Sequence, residues 1–314
     1  MRRIFSNRWM TLLILVMLVA ALPLVFSSGY YYRVAALVWI SALAAIGLNI
    51  LMGYAGQVSL GHAGFFGIGA YAVAIGPARF ALASWLCILL GAALSGVIAW
   101  LVGRPMLRLK GHYLAIGTLG FGVLIALVLT SESKWTGGPD GIAVARLAFA
   151  DIRISGPAAW YWISGVVLVI GAWLALNLED SSAGRALRAL HDSEIATSLC
   201  GVDVARHKLW AFVLAAVYAS IAGSELALFD GFITPDMAGF LHSIELVAMV
   251  VLGGMGSVLG SVVGAALLVT LPQLLTVFME YEQALLGLII MLTMIFLRLG
   301  IVPGIQRMLA RRFS

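Results

Sequence analysis

The sequence contains little charge and little cysteine. Only 11% of its 314 residues are charged and 62% are hydrophobic, whereas an ordinary soluble domain carries about 25% charged residues. This balance excludes an ordinary soluble domain and indicates an integral membrane protein. The two cysteines are Cys87, inside an apolar run, and Cys200, in a loop, so a disulfide between them is not expected.

The chain also lacks the motifs of common catalytic and nucleotide-binding sites. It has no GxxxxGK[ST] phosphate loop, and Gly254-Met255-Gly256 continues to Gly260 with the wrong spacing for a dinucleotide fingerprint. No HExxH, CxxC or Cys-His cluster predicts a metal site, and no GxSxG elbow predicts an acyl hydrolase. We therefore expect no enzyme activity, no cofactor, and no ATP binding by this chain alone.

Long apolar runs occupy most of the chain. A hydrocarbon core roughly 30 Å thick needs about 20 apolar residues per helix, and ten segments are candidates, of which the last three are short or interrupted. Short or broken spans often line cavities or are re-entrant. We predict an all-α polytopic membrane helical bundle that forms a single transmembrane domain over residues 1–314. The predicted spans are Trp9–Phe26, Val34–Leu51, Val58–Ile75, Phe80–Val102, Tyr113–Thr130, Ala158–Leu178, Leu209–Phe229, Phe240–Leu252, Val258–Met279 and Ala284–Val302.

Positive charge is distributed unevenly between the loops of this topology. With a cytoplasmic N-terminus, ten crossings place 14 of the 19 Lys and Arg residues inside and five outside, as the positive-inside rule expects. Both termini are therefore predicted to be cytoplasmic. The net charge of +5 reflects orientation on the membrane and gives no support for nucleic-acid binding. The first helix is expected to be retained, because Leu22–Phe26 lacks a small-residue cleavage site.

Glycines cluster between two apolar spans, in the segment from Gly53 to Gly64. Glycine allows close approach of other chain segments, so this segment indicates an interrupted membrane helix beside a transport pathway. Four of its positions recur 200 residues later: Gly53, Gly56, Val58 and Gly64 match Gly253, Gly256, Val258 and Gly264. The match suggests a pseudo-repeat of two halves, with chance as the alternative. The glycines predicted to serve as hinges or close-packing points are Gly53, Gly56, Gly61, Gly64, Gly253, Gly254 and Gly256.

Polar side chains inside the spans are costly and are therefore candidates for function. His62 is expected on one helical face with Ser59 and Phe66, while His242 and Glu245 are three residues apart in a short span. One interpretation places these groups around a central path or at joints that move during transport. The other interpretation is hydrogen bonding between helices. For Glu245 we expect a buried structural or gating pair rather than direct contact with substrate.

The longest predicted cytoplasmic stretch, residues 179–208, contains two short helices. Ser193 or the preceding aspartate can cap the second helix, and Gly201 can end it. Ile195 and Leu199 then lie on one side of that helix at i,i+4 spacing. Such a helix requires a partner surface, and its small residues favour docking into a groove of a partner protein over binding to membrane lipid.

Four stretches of the chain carry a family resemblance. They are Gly47–Tyr71, Thr136–Ile142, Gly184–Phe212 and Ser243–Ser257, and together they resemble bacterial branched-chain amino acid ABC transporter permeases. The resemblance implies a multi-pass protein of the bacterial inner membrane. It also implies a homologous second permease, two cytoplasmic ABC ATPases and a periplasmic substrate-binding protein as partners. The sequence departs from the family at Glu225, where a small or apolar residue is expected and whose carboxylate we expect to extend outward.

The resemblance also implies a mechanism and site residues. Closure of the ATPases on ATP would move the coupling helices and reorient the spans, so that the path opens first outside and then inside. The loop that docks on the ATPases would contain a variant of the EAA motif. The residues implied for coupling are Arg185, Arg188, Glu194, Ala196, Gly201 and Arg206. The residues chosen for the substrate path are Asn49, Tyr54, Gln57, Ser59, His62 and Glu245.

Two alternatives to a branched-chain amino acid importer stay open in the sequence. Importers of urea, short amides or other amino acids are similar, and selection among substrates is expected to rest mainly with the binding protein. A self-contained secondary transporter would instead use His62, His242 and Glu245 as a proton relay. It would depend on the proton gradient and would need no ATPase subunits.

Overall fold

Helices dominate the structure. The computed structural model describes residues 2–25, 28–109, 111–145, 148–149, 152–153, 156–275, 287, 291, 295 and 300–312. A π-helix over Ile50–Tyr54 continues α2, and 3-10 turns span Gly138–Asp140 and Pro235–Ala238. The α-helices are α1 (Arg2–Val25), α2 (Gly29–Asn49), α3 (His62–Phe80), α4 (Ser84–Met106), α5 (His112–Ser131), α6 (Ser133–Thr136), α7 (Pro157–Asp180), α8 (Ser182–Asp192), α9 (Glu194–Leu199), α10 (Val204–Asp230), α11 (Phe240–Gly253), α12 (Val258–Leu275) and α13 (Ile301–Arg312).

Two short antiparallel strand pairs lie in the loops. β1 (Ile142–Ala143) pairs with β4 (Phe232–Ile233), with Ile142 opposite Ile233. β2 (Ala148–Phe149) pairs with β3 (Ile152–Arg153). The first pair joins the loop after α6 to the loop after α10 and thereby places both loops at the same end of the bundle.

Six helices are long and apolar enough to cross a membrane: Gly29–Tyr54, His62–Phe80, Ser84–Met106, His112–Ser131, Pro157–Asp180 and Val204–Asp230. Three shorter apolar helices cover Arg8–Leu24, Phe240–Gly253 and Val258–Gln273. A polytopic helical membrane bundle is therefore confirmed. Most of the tenth predicted span, Ala284–Val302, lies outside the described residues, so the ten crossings and the pseudo-repeat stay predictions.

Two predicted span boundaries are wrong. The span expected from Val58 begins at His62, because the glycine-rich residues before it are not helical. The span expected from Phe80 begins at Ser84, since α3 runs on to Phe80 and ends where Ala81 takes a left-handed conformation at φ 52°. Hydropathy does not detect a turn whose residues continue an apolar pattern. The starts of α3 and α4 were therefore predicted too early.

The buried core surrounds α2. The most apolar window of this helix is 78% buried, whereas the windows of α4 and α5 are 33% and 22% buried. α2 contacts α7, α10, α11 and α12, while α4 and α5 lie at the periphery against α3 and α10. The outward residues of α4 and α5 are large and apolar, such as Leu89, Leu94 and Leu124, as expected for surfaces that face lipid or another membrane subunit.

Polar contacts sort the loops to two ends of the bundle. At one end Arg8 forms an ion pair with Asp180 at 3.6 Å, next to α8 and α9. We call the end of the bundle that holds Arg8, Asp180, α8 and α9 the basic end. At the opposite end Arg33 pairs with Asp230 at 3.1 Å, and Arg79 donates to the backbone oxygen of Lys134 at 2.6 Å.

Candidate functional site

The helical path of the chain is interrupted between Tyr54 and His62. Residues 55–61, which we call the helix break, are not helical. The break contacts the middle of neighbouring helices, because the backbone nitrogen of Leu60 donates to Oγ1 of Thr118 at 3.0 Å. Thr118 is the seventh residue of α5, so at 1.5 Å per residue the break lies roughly 9 Å inside the bundle from that end of α5. The predicted interrupted helix is therefore present within the bundle.

The break begins with unusual backbone geometry. The π-helix over Ile50–Tyr54 widens the last turn of α2, and π-turns inside α-helices are frequent at functional sites. Gly56 has φ 66°, a left-handed conformation that a side chain would strain. The backbone nitrogen of Gln57 then returns to the backbone oxygen of Leu51 at 3.1 Å, which closes the turn.

Hydroxyl groups of two other helices accept from backbone nitrogens within the break and just after it. Besides Thr118, Ser243 of α11 accepts from the backbone nitrogen of Ala63 at 3.1 Å and so caps the start of α3. Within the break, Oγ of Ser59 and Nδ1 of His62 are 2.7 Å apart. Ser59 precedes the helix, so the predicted shared helical face of Ser59 and His62 is wrong, although the two side chains do interact.

His62 is packed among aromatic rings. Its ring centroid lies 5.8 Å from that of Phe65 and 5.6 Å from that of Phe212, both edge to face. The side chain is 1% exposed. Nε2 of His62 and Nε2 of His242 have no hydrogen-bond partner among the described residues, and a proton relay through the two histidines stays a prediction.

A second break faces the first. α11 ends at Gly253 and α12 begins at Val258, and Gly256 between them has φ 79°, like Gly56 in the first break. A Cβ on Gly53 would overlap the backbone nitrogen of Gly256. The two glycine clusters that share a spacing in the sequence therefore pack directly against each other.

The side-chain amide of Asn49 joins the end of α2 to the second break. Its Oδ1 accepts from the backbone nitrogen of Gly256 at 2.9 Å, and its Nδ2 donates to the backbone oxygen of Ser257 at 3.0 Å. Asn49 is 1% exposed. These contacts give Asn49 a structural role, while its predicted place on the substrate path stays a prediction.

The remaining glycines chosen from the sequence occupy crowded or left-handed positions. A Cβ on Gly61 would overlap the backbone oxygen of Thr118, and a Cβ on Gly64 would lie 3.3 Å from Cα of Gly122. A Cβ on Gly253 would overlap the backbone oxygen of Gly260. Gly254 has φ 119°. At each of these positions a side chain would crowd a neighbouring group or strain the backbone, which explains why glycine is present. The role of these glycines as hinges stays a prediction.

Most of the side chains predicted for the path are buried in this structure. Asn49, Tyr54, Ser59 and His62 are 1–2% exposed and Gln57 is 8% exposed. The amide of Gln57 donates to the backbone oxygen of Ala55 at 3.1 Å. These side chains pack closely around the break. Their assignment to a substrate path stays a prediction.

A hydrogen-bonded link connects the break to the basic end. The hydroxyl of Tyr54 donates to Oε2 of Glu179 at 3.0 Å. Arg188 of α8 donates to Oε1 of the same carboxylate at 3.1 Å and to the backbone oxygen of Glu179 at 2.8 Å. His191 of α8 also lies against Gly56, because a Cβ there would be 2.9 Å from its Nδ1. A displacement of α8 would therefore move groups that contact the break.

Beyond α8 the chain forms the second short helix expected from the sequence. Oγ of Ser193 accepts from the backbone nitrogen of Ala196 at 3.2 Å and caps α9, and Gly201 follows the helix with φ 79°. Ile195 and Leu199 are 76% and 83% exposed. Large apolar side chains so exposed at a membrane protein's polar end indicate a docking surface.

Charged groups hold this segment in place. Nζ of Lys208, which is 3% exposed, forms an ion pair with Oε1 of Glu194. Arg185 donates to the backbone oxygen of Asp180 at 3.0 Å. The backbone nitrogen of Arg206 is capped by Oδ1 of Asp203 at 3.0 Å.

The exposed face of α11 carries a charge. Nδ1 of His242 and Oε2 of Glu245 are 3.1 Å apart, and the Glu245 side chain is 62% exposed in the single chain. Leu241 and Ile244 beside it are 75% and 40% exposed. The predicted pairing of these two residues is present, but the expectation that Glu245 is buried within this chain is wrong.

The structure also corrects the expectation for Glu225. This residue is 4% exposed, so its carboxylate does not extend outward. Its Oε2 has no hydrogen-bond partner among the described residues. The sequence could show that Glu225 is unusual in an apolar span, but helix rotation about the bundle decides whether such a side chain reaches the surface.

Sequence reasoning missed several residues that organise the site. Thr118 and Ser243 supply the hydroxyls that hold the break, and Glu179 and Lys208 anchor α8 and α9. Thr118 is a lone polar residue in an apolar run, a pattern that marks contacts between membrane helices. Ser243, Glu179 and Lys208 each stand beside other polar residues, so nothing local singles them out. Within the described residues, no group of three or more His, Cys, Asp or Glu side chains is arranged to hold a metal ion.

Two helix breaks packed together inside an apolar bundle, and linked to a helix with an exposed apolar side at the basic end, define a polytopic membrane transport protein. Comparison with known proteins gives the family. The family model for the permease component of branched-chain amino acid transport systems matches residues 30–297. The chain therefore belongs to the family of branched-chain amino acid transport system permeases.

Individual relatives agree with this family. The chain is 33% identical to the high-affinity branched-chain amino acid transport system permease protein LivM of Salmonella typhimurium, over 93% of this chain and 74% of LivM. LivM of Escherichia coli gives the same identity and coverage. The permease protein LivH of Salmonella typhimurium is 26% identical over 85% of this chain and 92% of LivH. No solved structure matches the chain.

Proposed function

We propose that this protein is the membrane-spanning permease subunit of an ATP-driven ABC importer that moves branched-chain amino acids across the bacterial inner membrane. The observation that carries the proposal is the link from α8 through Glu179 and Tyr54 to the helix break. A partner that moves α8 and α9 can thereby act on the interior of the bundle. The protein itself performs no catalysis, and ATP is hydrolysed by separate ATPase subunits.

The basic end is the cytoplasmic end in this proposal, with both termini inside. The segment 179–208 then faces the cytoplasm, where the ATPases are. α9 docks on one ATPase through Ile195 and Leu199, while Glu194 and Lys208 fix the orientation of α9 on α10. Arg185, Arg188, Ala196, Gly201 and Arg206 complete the coupling segment.

A homologous second permease covers the exposed face of α11. A carboxylate that faces lipid near the centre of a membrane helix costs about 2.5–3.5 kcal/mol on translocon scales, so the Glu245 side chain is expected to face protein or water. The path for substrate then lies between α11 and the helix break. Asn49, Tyr54, Gln57, Ser59, His62 and Glu245 are our candidates for its lining, and the glycines of the two breaks are candidates for its hinges.

This face can be tested by cross-linking. In a Cys200→Ser background, Ile244→Cys should form cross-links with cysteines placed on the second permease when the two are expressed together. Leu94→Cys, 51% exposed on peripheral α4, is the matched control and should form none. Cross-links at Leu94→Cys without any at Ile244→Cys would move the subunit interface away from α11.

Substrate choice is proposed from the names of the relatives, whose systems transport branched-chain amino acids. A periplasmic binding protein would deliver the substrate and contribute most of the selectivity. Apart from Glu245, the path candidates have hydroxyl, amide and imidazole groups, which can hydrogen-bond a zwitterion but can also accept urea or short amides. Competition of leucine uptake by isoleucine, valine, urea and acetamide distinguishes these substrates.

Uptake in liposomes that hold the complete complex tests the coupling. ATP is enclosed and the substrate-loaded binding protein is added outside. The double variant Ile195→Asp, Leu199→Asp should abolish uptake, whereas Ile195→Leu, Leu199→Met keeps an apolar surface and should retain it. Glu194→Arg is a poorer test, because reversing that charge leaves Lys208 buried without its partner and destabilises the fold.

The alternative transporter class predicts the opposite dependence. If this chain alone moves substrate along a proton gradient without ATP, the proposal is wrong. The proton relay of His62, His242 and Glu245 is then the better interpretation. If the Asp variant transports as well as the wild type in the complete complex, α9 does not dock on the ATPase.

A further inference from the structure

A cavity opens between α4 and α10 at the basic end, away from the helix breaks. Its volume is about 600 Å³. Three arginines, Arg104, Arg108 and Arg206, and two tryptophans, Trp100 and Trp210, contribute to its lining. Neither the helix breaks nor the coupling link accounts for this concentration of basic and aromatic side chains.

The positive charge in the cavity is largely uncompensated. Among the described residues, no carboxylate lies within ion-pair distance of Arg104, Arg108 or Arg206. Asp203 is the one acidic residue in the lining, and its Oδ1 already accepts from the backbone nitrogen of Arg206 at 3.0 Å. Three guanidinium groups against one carboxylate favour an anionic occupant.

The walls indicate that this anion has an apolar part. Cζ of Arg104 lies 3.7 Å from the ring centroid of Trp100, and Trp100 and Trp210 are 40% and 55% exposed. Tryptophans at the ends of membrane helices sit at the level of lipid headgroups. Gly103, Leu107 and Leu209 add apolar surface on the side of the spans, a combination that suits a lipid better than a soluble anion or an acidic peptide.

We propose that this cavity binds the headgroup of an anionic phospholipid of the cytoplasmic leaflet. Basic pockets between membrane helices on that side are suited to anionic headgroups. The phosphate is held by Arg104 and Arg108 with Arg206, and the acyl chains lie against the spans. The choice of leaflet rests on the proposed cytoplasmic location of the basic end, and Arg206 places the lipid beside the coupling segment.

Native mass spectrometry of the purified full-length protein tests the site. The protein is delipidated and titrated with phosphatidylglycerol or phosphatidylcholine of the same acyl chains. Wild type should bind the first phosphatidylglycerol molecule at a concentration at least about tenfold lower than phosphatidylcholine, since each basic residue near an anionic surface contributes on the order of a factor of five and two such residues already exceed tenfold. Arg104→Gln, Arg108→Gln should remove this preference.

Arg79→Gln is the matched control, because Arg79 also lies over a tryptophan, 6.0 Å from the ring of Trp135, but at the opposite end. It should keep the preference. The double variant Arg104→Lys, Arg108→Lys keeps the charge, so it should retain part of the preference for phosphatidylglycerol. It replaces the Gln variant in the test if that variant fails to fold. Inorganic phosphate at millimolar concentration should not displace the lipid from wild type.

Three results would overturn the lipid site. They are equal binding of the two lipids by wild type, an unchanged preference in the folded Gln variant, and displacement by phosphate alone. A folded Gln variant that keeps its lipid preference but no longer binds the ATPase would instead assign the cavity to a protein partner. Binding in detergent requires neither transport nor orientation, so failure here leaves the permease proposal intact, and failure of ATP-driven uptake leaves the lipid site intact.

Discussion

At the scale of single residues, the interior of this permease depends on backbone atoms that approach each other without side chains between them. The side-chain amide of Asn49 holds two backbone groups of the second break, one through its Nδ2 donor and one through its Oδ1 acceptor. A buried polar group of this kind is stabilising when both ends are satisfied. The same contact requires Gly53 to remain without a side chain, since its Cβ would meet Oδ1 of Asn49.

Gly53→Ala should therefore destabilise the protein and impair transport. The added methyl group must push apart two backbones, and overpacking of a tight interior typically costs about 1–3 kcal/mol. Thermal unfolding in detergent and uptake by the reconstituted complex measure the two effects. Gly120→Ala on α5, where a Cβ meets nothing within 4 Å, is the matched control and should behave as wild type. Equal stability of both variants would show that the two breaks can separate freely.

The sequence predicted which glycines matter but not which side chains hold them. Clustering of Gly53, Gly56 and Gly61 is visible locally, because glycine in an apolar span is unusual without a steric reason. The bond between Tyr54 and Glu179 joins residues 125 positions apart, and nothing local encodes such a pairing. Glu225 shows the same limit, since its burial depends on how α10 is rotated against its neighbours.

At the scale of secondary-structure elements, α8 is the helix through which the proposed coupling segment contacts the bundle. It packs against the π-helix and against α7 and α10, while α9 beyond it presents its apolar side outward. Both short helices were predicted from the sequence, and Ser193 is one of the two cap residues that it offered, because caps and i,i+4 spacing are local signals. The start of α3 was predicted four residues too early, at Val58 instead of His62, since Val58 and Leu60 extend the apolar pattern into the break.

Tyr54→Phe should weaken this contact without unfolding the bundle. It deletes only the hydroxyl that donates to Glu179, a loss of about 1 kcal/mol for a typical hydrogen bond. We expect stimulation of ATPase activity by the loaded binding protein to fall several-fold, with basal ATPase activity unchanged. The readout is ATP hydrolysis by the reconstituted complex with and without the binding protein.

Tyr218→Phe is the control for this experiment. The hydroxyl of Tyr218 also donates within the bundle, to the backbone oxygen of Gly171 at 2.8 Å, but it lies outside the link to α8. Stimulation should persist in this variant. Equal loss in both variants would mean that bundle stability, rather than the Tyr54 link, governs coupling.

At the scale of the whole molecule, the loops divide between two ends as the alternating spans require. The pairs Arg8–Asp180 and Arg33–Asp230 lie at opposite ends, and the excess of positive charge in the sequence predicts which end faces the cytoplasm. The sequence thus predicted a topology from composition alone. It could not predict that α2 is central and α5 peripheral, because both have an apolar window with the same mean hydropathy of 2.2 and burial follows from packing among helices.

The two natural cysteines test this orientation directly. Cys200 is exposed at the basic end after α9, whereas Cys87 is buried in α4. A membrane-impermeant maleimide should therefore label the wild type in inside-out vesicles and leave right-side-out vesicles unlabelled. Cys200→Ser should abolish labelling. The double variant Cys200→Ser, Ala158→Cys moves the thiol to the exposed start of α7 at the opposite end and should reverse the preference between the two preparations. Labelling of Cys200 from the periplasmic side would invert the topology, and α9 would then be unable to reach a cytoplasmic ATPase.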